Sequence, residues 1–138
     1  AFAYAEISRL TPNDNEKRFQ IKAVNAGGMS PMVRRADGQV EWLEVSGLPL
    51  GVIRGDNTLY QTVTANLSTG DMIILTSDGV VEAQNLQRQM WGFDRFEAAV
   101  MAGPDDNAQV MLNHLRTEIE DFLDTDPHDD ITIVVIQV

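Results

Sequence analysis

A change of hydrophobic period two-thirds of the way along this chain constrains its fold more than any other feature. Up to residue 75 the apolar residues come in short runs. Phe2 to Ser8 reads as a strand, and the polar loop Thr11-Pro12-Asn13-Asp14-Asn15-Glu16 follows it. Phe19 to Asn25 alternates, with Phe19, Ile21 and Ala23 on one face and Gln20 and Lys22 on the other. Pro31 to Arg35 and Gln39 to Val45 flank Asp37-Gly38, a dipeptide that favours a tight primed turn, so a hairpin is predicted there. Thr58 to Leu67 alternates again. Met72-Ile73-Ile74-Leu75 is continuously apolar, as expected of a strand covered on both faces.

Beyond residue 90 the period becomes helical. Phe93, Phe96, Glu97 and Val100 share one helix face, ended by Gly103-Pro104. Met111, Leu112, Leu115, Ile119, Phe122 and Leu123 form the apolar stripe of a longer helix, preceded by the capping types Asp105, Asp106 and Asn107. The chain closes on the β-branched run Ile131 to Ile136, a final strand. Antiparallel strands followed by two helices predict an α+β layered domain with helices covering a sheet.

The 138 residues suffice for one domain or part of one, and 43% hydrophobic with 22% charged residues argues against disorder. No apolar run approaches the roughly 20 residues that span a bilayer. The N-terminus shows no basic region followed by an apolar stretch, and the opening Ala1-Phe2-Ala3 is expected to be an internal or processed start. The lack of cysteine removes disulfides, thiolate metal sites and a cysteine nucleophile, and agrees with a cytoplasmic location. A net charge of −11, from 21 acidic and 10 basic residues, repels phosphate backbones and anionic lipid. Nucleic acid and membrane are therefore not expected as partners.

Some of those acids fall at strand ends. Asp78 directly follows the buried run, in Thr76-Ser77-Asp78-Gly79-Val80, and Asp129-Asp130 directly precede the last strand. A carboxylate at the end of a core strand is held at the rim of the apolar layer, and its desolvation must be compensated by a cation or by hydrogen bonds. If the two strands are sheet neighbours, Asp78 and Asp129 can converge, and Mg²⁺ or Mn²⁺ is the usual occupant of an all-oxygen site. Gly79 permits a tight turn and close backbone approach. Each motif alone has a plain reading, since Ser-Asp-Gly is an ordinary turn and Asp-Asp before a strand can simply be solvated.

Taken in order, five motifs resemble the bacterial phosphatases of the sporulation-protein-E and RsbU type, within the metal-dependent PPM class. They are Asn25-Ala26-Gly27-Gly28-Met29-Ser30-Pro31, Gly47-Leu48-Pro49-Leu50-Gly51-Val52, Ser77-Asp78-Gly79-Val80-Val81-Glu82-Ala83-Gln84-Asn85, Trp91-Gly92-Phe93 and Asp129-Asp130-Ile131-Thr132. The resemblance implies an antiparallel β-sandwich flanked by helices, and residues 1–138 would be the C-terminal portion of one such domain, an incomplete sandwich. It implies hydrolysis of phosphoserine or phosphothreonine by a water bridging two Mn²⁺ or Mg²⁺ ions. Asp78 and Asp129 take the positions of the family's metal aspartates, with Asp130 adjoining. The implied substrate is a phosphorylated regulatory protein, such as an anti-sigma-factor antagonist.

The match has gaps. The family's Gly-Asp-X-X-Gly-X-Gly motif, which supplies other ligands, has no counterpart, and Gly55-Asp56-Asn57 reads as a hairpin turn. The 138 residues alone would then hold half a metal site and be inactive alone. The usual His after Ala-Gly is Gly28, while Val81 and Gln84 replace the usual Thr and Arg around Glu82. The alternative is a non-catalytic pseudophosphatase or sensory module that uses the sandwich for recognition. A calcium module is disfavoured, because Asp121-Phe122-Leu123-Asp124-Thr125-Asp126 lacks the EF-hand spacing and its glycine.

Other polar residues carry weaker signals. Ser77 lacks a histidine base and is not expected to be a nucleophile. His128 reads as a loop residue, and His114, beside the helical stripe, as structural. Arg34 and Arg35 could clamp a phosphate but read as a solvated hairpin. Trp42, Trp91 and the six methionines read as packing. Strand edges left open by an incomplete sandwich could pair two copies into a homodimer.

Overall fold

The computed structural model describes residues 2–10, 18–52, 60–123 and 129–138. Three of the alternating segments form one sheet: β1 (Phe2–Arg9), β2 (Arg18–Ala26) and β5 (Thr62–Ser68), in the order β1-β2-β5. A second sheet contains β3 (Met32–Arg34), β4 (Val40–Trp42), β6 (Met72–Thr76) and β7 (Ile133–Gln137), in the order β4-β3-β6-β7. All pairings are antiparallel. Two helices follow β6, α1 (Gly92–Ala102) and α2 (Ala108–Phe122).

The apolar run at β6 decides the layering, because its side chains supply two cores. Met72 and Ile74 join Met32, Phe96, Val100, Met111, Leu115 and Ile119 beneath the helices. Ile73 joins Ile21, Val33, Leu43 and Leu67 between the sheets, with Leu75 packed against them. Each fully buried Ile, Leu or Phe contributes roughly 1.5–3 kcal/mol, so a strand feeding both cores ties three layers together. The result is sheet on sheet with helices on the outer face of the second sheet, the α+β sandwich expected.

The helices form as their sequences dictate. The Asn107 side chain accepts a hydrogen bond from Val110 N at 3.0 Å, capping α2, whose stripe Met111, Leu115 and Ile119 is buried. His114 Nε2 lies 3.0 Å from Ala99 O and links the two helices, a structural role. Trp91 is buried, whereas Met90 and Met101 are exposed.

Three expectations need correction. Asp37-Gly38 is not a two-residue turn: Arg35 N donates to Gln39 O at 2.7 Å and Gly38 N to Arg35 O at 2.9 Å, with Gly38 at φ +89°. That is a three-residue loop ending in a left-handed glycine, which shortens both strands. The last strand starts at Ile133 rather than Ile131, because residues 129–132 are drawn onto the β6 exit. Arg34 is not solvated but 6% exposed; its Nη2 donates to Gly103 O at 2.8 Å, while its Nε and Nη1 have no partner. The strand period turns it toward the helices beside Met32 and Met72, under the C-terminus of α1.

Arg35 behaves differently from its neighbour. It pairs with Glu41 and, at 2.8 Å, with Asp71, which is buried and also accepts from Ala36 N and Ser68 N at 3.0 Å each. Burial alone would lower the Arg35 pKa, but the hydrogen bonds and charges of Asp71 and Glu41 hold it above its ordinary value. The polar loop at 11–16, the turn at Gly55-Asp56-Asn57 and His128 lie outside the described residues.

Candidate metal centre

The two acid-bearing segments meet because β6 and β7 are sheet neighbours, with Thr76 opposite Ile133. Past the last strand pair, Ser77 extends the join. Its amide donates to Thr132 O at 3.0 Å. Its hydroxyl donates to Asp130 O and accepts from Thr132 N, both at 3.0 Å. Asp78 then opens a single 3-10 turn to Val80, closed by Val80 N to Ser77 O at 3.3 Å and Glu82 N to Asp78 O at 3.0 Å. At Gly79 the two backbones almost touch, since a Cβ there would lie 2.5 Å from Asp130 O. The glycine in Ser-Asp-Gly is thus required by the neighbouring chain.

Asp78, Asp129 and Asp130 are all exposed. Asp78 Oδ1 accepts from Gly79 N at 3.1 Å, and Asp129 Oδ1 from Asp130 N at 2.8 Å. Among the described residues no Lys or Arg pairs with any of the three. Three carboxylates on two abutting turns, with no Lys or Arg paired to them among the described residues, gain from an added cation. Their hard oxygen donors suit Mg²⁺ or Mn²⁺ in chemistry. In number they fall short, because no group of three or more His, Cys, Asp or Glu side chains is gathered closely enough to hold a metal among the described residues.

A second loop system borders the same end of the sheet. β3 runs antiparallel to β6, so the residues entering β3 lie beside those leaving β6. Asn25, 4% exposed, shapes this entry: its amide donates to Gly28 O at 2.7 Å and Val45 O at 3.0 Å and accepts from Gly28 N at 2.7 Å. Gly27 adopts φ +81°, and a Cβ on it would fall 2.5 Å from Pro49 Cγ; a Cβ on Gly47 would fall 1.9 Å from Asn25 O. The Asn-Ala-Gly-Gly and Gly-Leu-Pro-Leu-Gly motifs therefore pack on one another as a framework.

The sequence singles out the three aspartates as candidates but not Ser77, which fastens their turns, nor Asn25, which fastens the neighbouring β3 entry. The Ser77 hydroxyl, weighed only as a nucleophile, is engaged with the Asp130–Thr132 backbone. Asn25 was read as part of a motif without its bonding. A hydroxyl residue directly before an acid at a strand exit is the signal that could have flagged Ser77 as a clamp.

Comparison with known proteins identifies the family and the fold. The family model described as stage II sporulation protein E (SpoIIE) matches residues 11–138. The chain is 25% identical over 120 residues to stage II sporulation protein E of Bacillus subtilis, covering 85% of the chain and 14% of the relative. It is 27% identical over 142 residues to the phosphoserine phosphatase RsbU of Bacillus subtilis, covering 95% of the chain and 38% of the relative. The structure of the PP2C phosphatase domain and a regulatory-domain fragment of SpoIIE from Bacillus subtilis superposes with a TM-score of 0.70 at 21% identity, over 89% of this chain and 37% of that one. A Mn-presoaked SpoIIE phosphatase domain gives a TM-score of 0.64 at 19% identity, over 96% of this chain and 56% of that one. The chain thus spans less than two-thirds of each of these proteins, and its fold matches part of the SpoIIE phosphatase domain.

Proposed function

The chain belongs to the stage II sporulation protein E family, and from that premise we propose that it is the C-terminal part of a metal-dependent protein serine/threonine phosphatase domain. The observation that carries this reading is the meeting of the Asp78 and Asp129–Asp130 turns through Ser77 and Gly79. Asp78 and Asp129 would hold Mn²⁺ or Mg²⁺, with Asp130 adjoining. Such cations, when bound, acidify a coordinated water and neutralise charge developing on the phosphoryl oxygens.

The residues of this chain have their own tasks. Ser77 fixes the spacing of the two acidic turns. Gly79 lets them approach. Asp78 and Asp129 each engage one oxygen with the next backbone N–H, which orients the carboxylate and leaves the other oxygen available. The ligands still needed would come from outside the described residues of this chain. Similarity to a phosphoserine phosphatase supports a substrate with phosphoserine or phosphothreonine on a bacterial regulatory protein, of which an anti-sigma-factor antagonist is the type we propose.

The test is Asp78→Asn and Asp129→Asn in the protein carrying the whole domain, assayed for Mn²⁺-dependent release of phosphate from a phosphoserine peptide. Turnover should fall by orders of magnitude while the thermal transition stays in place. Near-normal turnover in either variant removes the assignment.

A further inference from the structure

At the same end of the second sheet as the acidic turns lies an open cleft of about 490 Å³, lined by Gly28, Met29, Ser30, Trp42, Glu44 and Phe93. Its position follows from strand register. Gly28 to Ser30 enter β3 next to the β6 exit, and Glu44 follows β4, whose Trp42 is opposite Met32. The cleft therefore opens at the end of the sheet that carries Asp78 and Asp130. Its floor is aromatic: the Trp42 and Phe93 rings meet edge to face at 5.9 Å, and Trp42 is backed by Phe96 at 5.8 Å. Phe93 is 55% exposed, so beyond its edge contact with Trp42 much of the ring stays open to a ligand.

Two carboxylates border this floor. Glu44 is exposed, and Glu97, one helical turn beyond Phe93, accepts from Trp42 Nε1 at 3.1 Å. Among the described residues neither is paired with a cation. An aromatic floor with unpaired carboxylates suits a side chain with an apolar stem and a delocalised positive head. Arginine fits best, since its guanidinium stacks on aromatic faces and forks onto carboxylates.

We propose that this cleft binds an arginine of the substrate lying within a few residues of the phosphorylated serine or threonine, so that the chain recognises a phosphopeptide with a basic flank. The proposal rests on the phosphatase reading, because it makes the cleft a subsite of that site. It also answers a difficulty that reading raises. A phosphate dianion approaching a chain of net charge −11 is repelled, and a cation beside it on the substrate offsets that repulsion.

The test is fluorescence anisotropy with paired phosphoserine peptides, identical except that arginine or norleucine occupies one position within four residues of the phosphoserine. At one or more positions the arginine peptide should bind the wild-type chain about three- to tenfold tighter than its twin, the sum of an exposed cation–π contact and an exposed ion pair. The preference should shrink in Glu44→Gln, vanish or invert in Glu44→Lys, and weaken as salt rises. Equal affinities for the twins at every position, or a preference unchanged in Glu44→Lys, overturns the proposal. So does a cleft closed to both peptides because a second copy of the chain covers it, seen as a dimer with Trp42 shielded. Because the readout is binding and not turnover, it fails separately from the phosphatase reading, which the Asp78→Asn assay decides.

Discussion

Gly79→Ala isolates the contact on which the candidate metal centre depends. Where space is free and the backbone is not left-handed, replacing glycine by alanine commonly stabilises a chain by about 0.4–1 kcal/mol through the unfolded state. Gly79 is not among the residues at positive φ, so that gain would apply here if the site were open. It is not open, because the new methyl would lie 2.5 Å from Asp130 O and 3.2 Å from its carbonyl carbon. Both are backbone atoms and cannot rotate away as a side-chain end would. Relief requires the turn at 78–80 to move off the segment at 130–132, which breaks or stretches the three Ser77 bonds to Asp130 and Thr132. Overpacking of this kind costs about 1–3 kcal/mol, and each hydrogen bond lost adds about 1 kcal/mol. Set against the unfolded-state gain, the net loss should be about 2–3 kcal/mol. Urea unfolding reads it directly: with a slope of about 1–3 kcal/mol per molar, the midpoint should fall by about 1–2 M without a change of slope. A midpoint equal to or above that of the wild type would refute the close approach of the two turns, and with it their sharing of a cation.

Four further outcomes follow from the same geometry. Ser77→Ala should lower stability by about 1–2 kcal/mol in urea unfolding, since two half-exposed hydrogen bonds are lost, while Ser77→Thr, which keeps the hydroxyl, should stay near wild type. Asn25→Ala leaves Gly28 N, Gly28 O and Val45 O without their partner and should cost about 2–3 kcal/mol by the same measurement. Arg34→Met should stay within about 1 kcal/mol of wild type, because the bond lost to Gly103 O is offset by removing two buried, unpartnered nitrogens; a loss above that would show that the charge itself is needed. Calorimetric titration of the 138-residue chain with Mn²⁺ should give a dissociation constant on the order of millimolar, as expected of too few ligands, and Asp78→Asn should abolish even that heat.

The sheets were legible because their signal is local. Alternation placed Ile21 and Ala23 in the core, and the unbroken run at 72–75 announced a strand between two apolar layers. The helices were legible from their stripe and from Asn107. The hairpin was misread because Asp-Gly serves both a two-residue turn and the end of a three-residue loop, and only the register of Arg35 with Gln39 separates them. Arg34 was misread because a strand of three residues is too short for its period to show which arginine faces inward. The three aspartates could be selected because each adjoins an apolar run. The bonds that hold their turns together could not, since the partners Ser77 and Asp130 lie 53 residues apart and no spacing rule connects them.

The motifs that define the family divide into two physical kinds. Asn25-Ala26-Gly27-Gly28 and Gly47-Leu48-Pro49 are mutually packed, with buried amide bonds and glycines that no larger residue could replace at either contact. They are framework, and the departure at Gly28 leaves their bonding intact because Asn25 uses only the Gly28 backbone. Ser77-Asp78-Gly79 and Asp129-Asp130 combine framework with exposed charge: Ser77 and Gly79 fasten the turns, whereas the three acids have no cation to answer them among the described residues. Like charges brought onto abutting turns contribute nothing favourable to the fold when no opposite charge answers them. Backbone fastening beneath exposed, unpaired acids is what the proposed cation site requires, and it yields a stability test. The framework would survive Asp78→Asn, Asp129→Asn and Asp130→Asn combined, and that triple variant should be at least as stable as wild type in metal-free buffer. A marked loss of stability would mean that the acids serve the fold and not a cation.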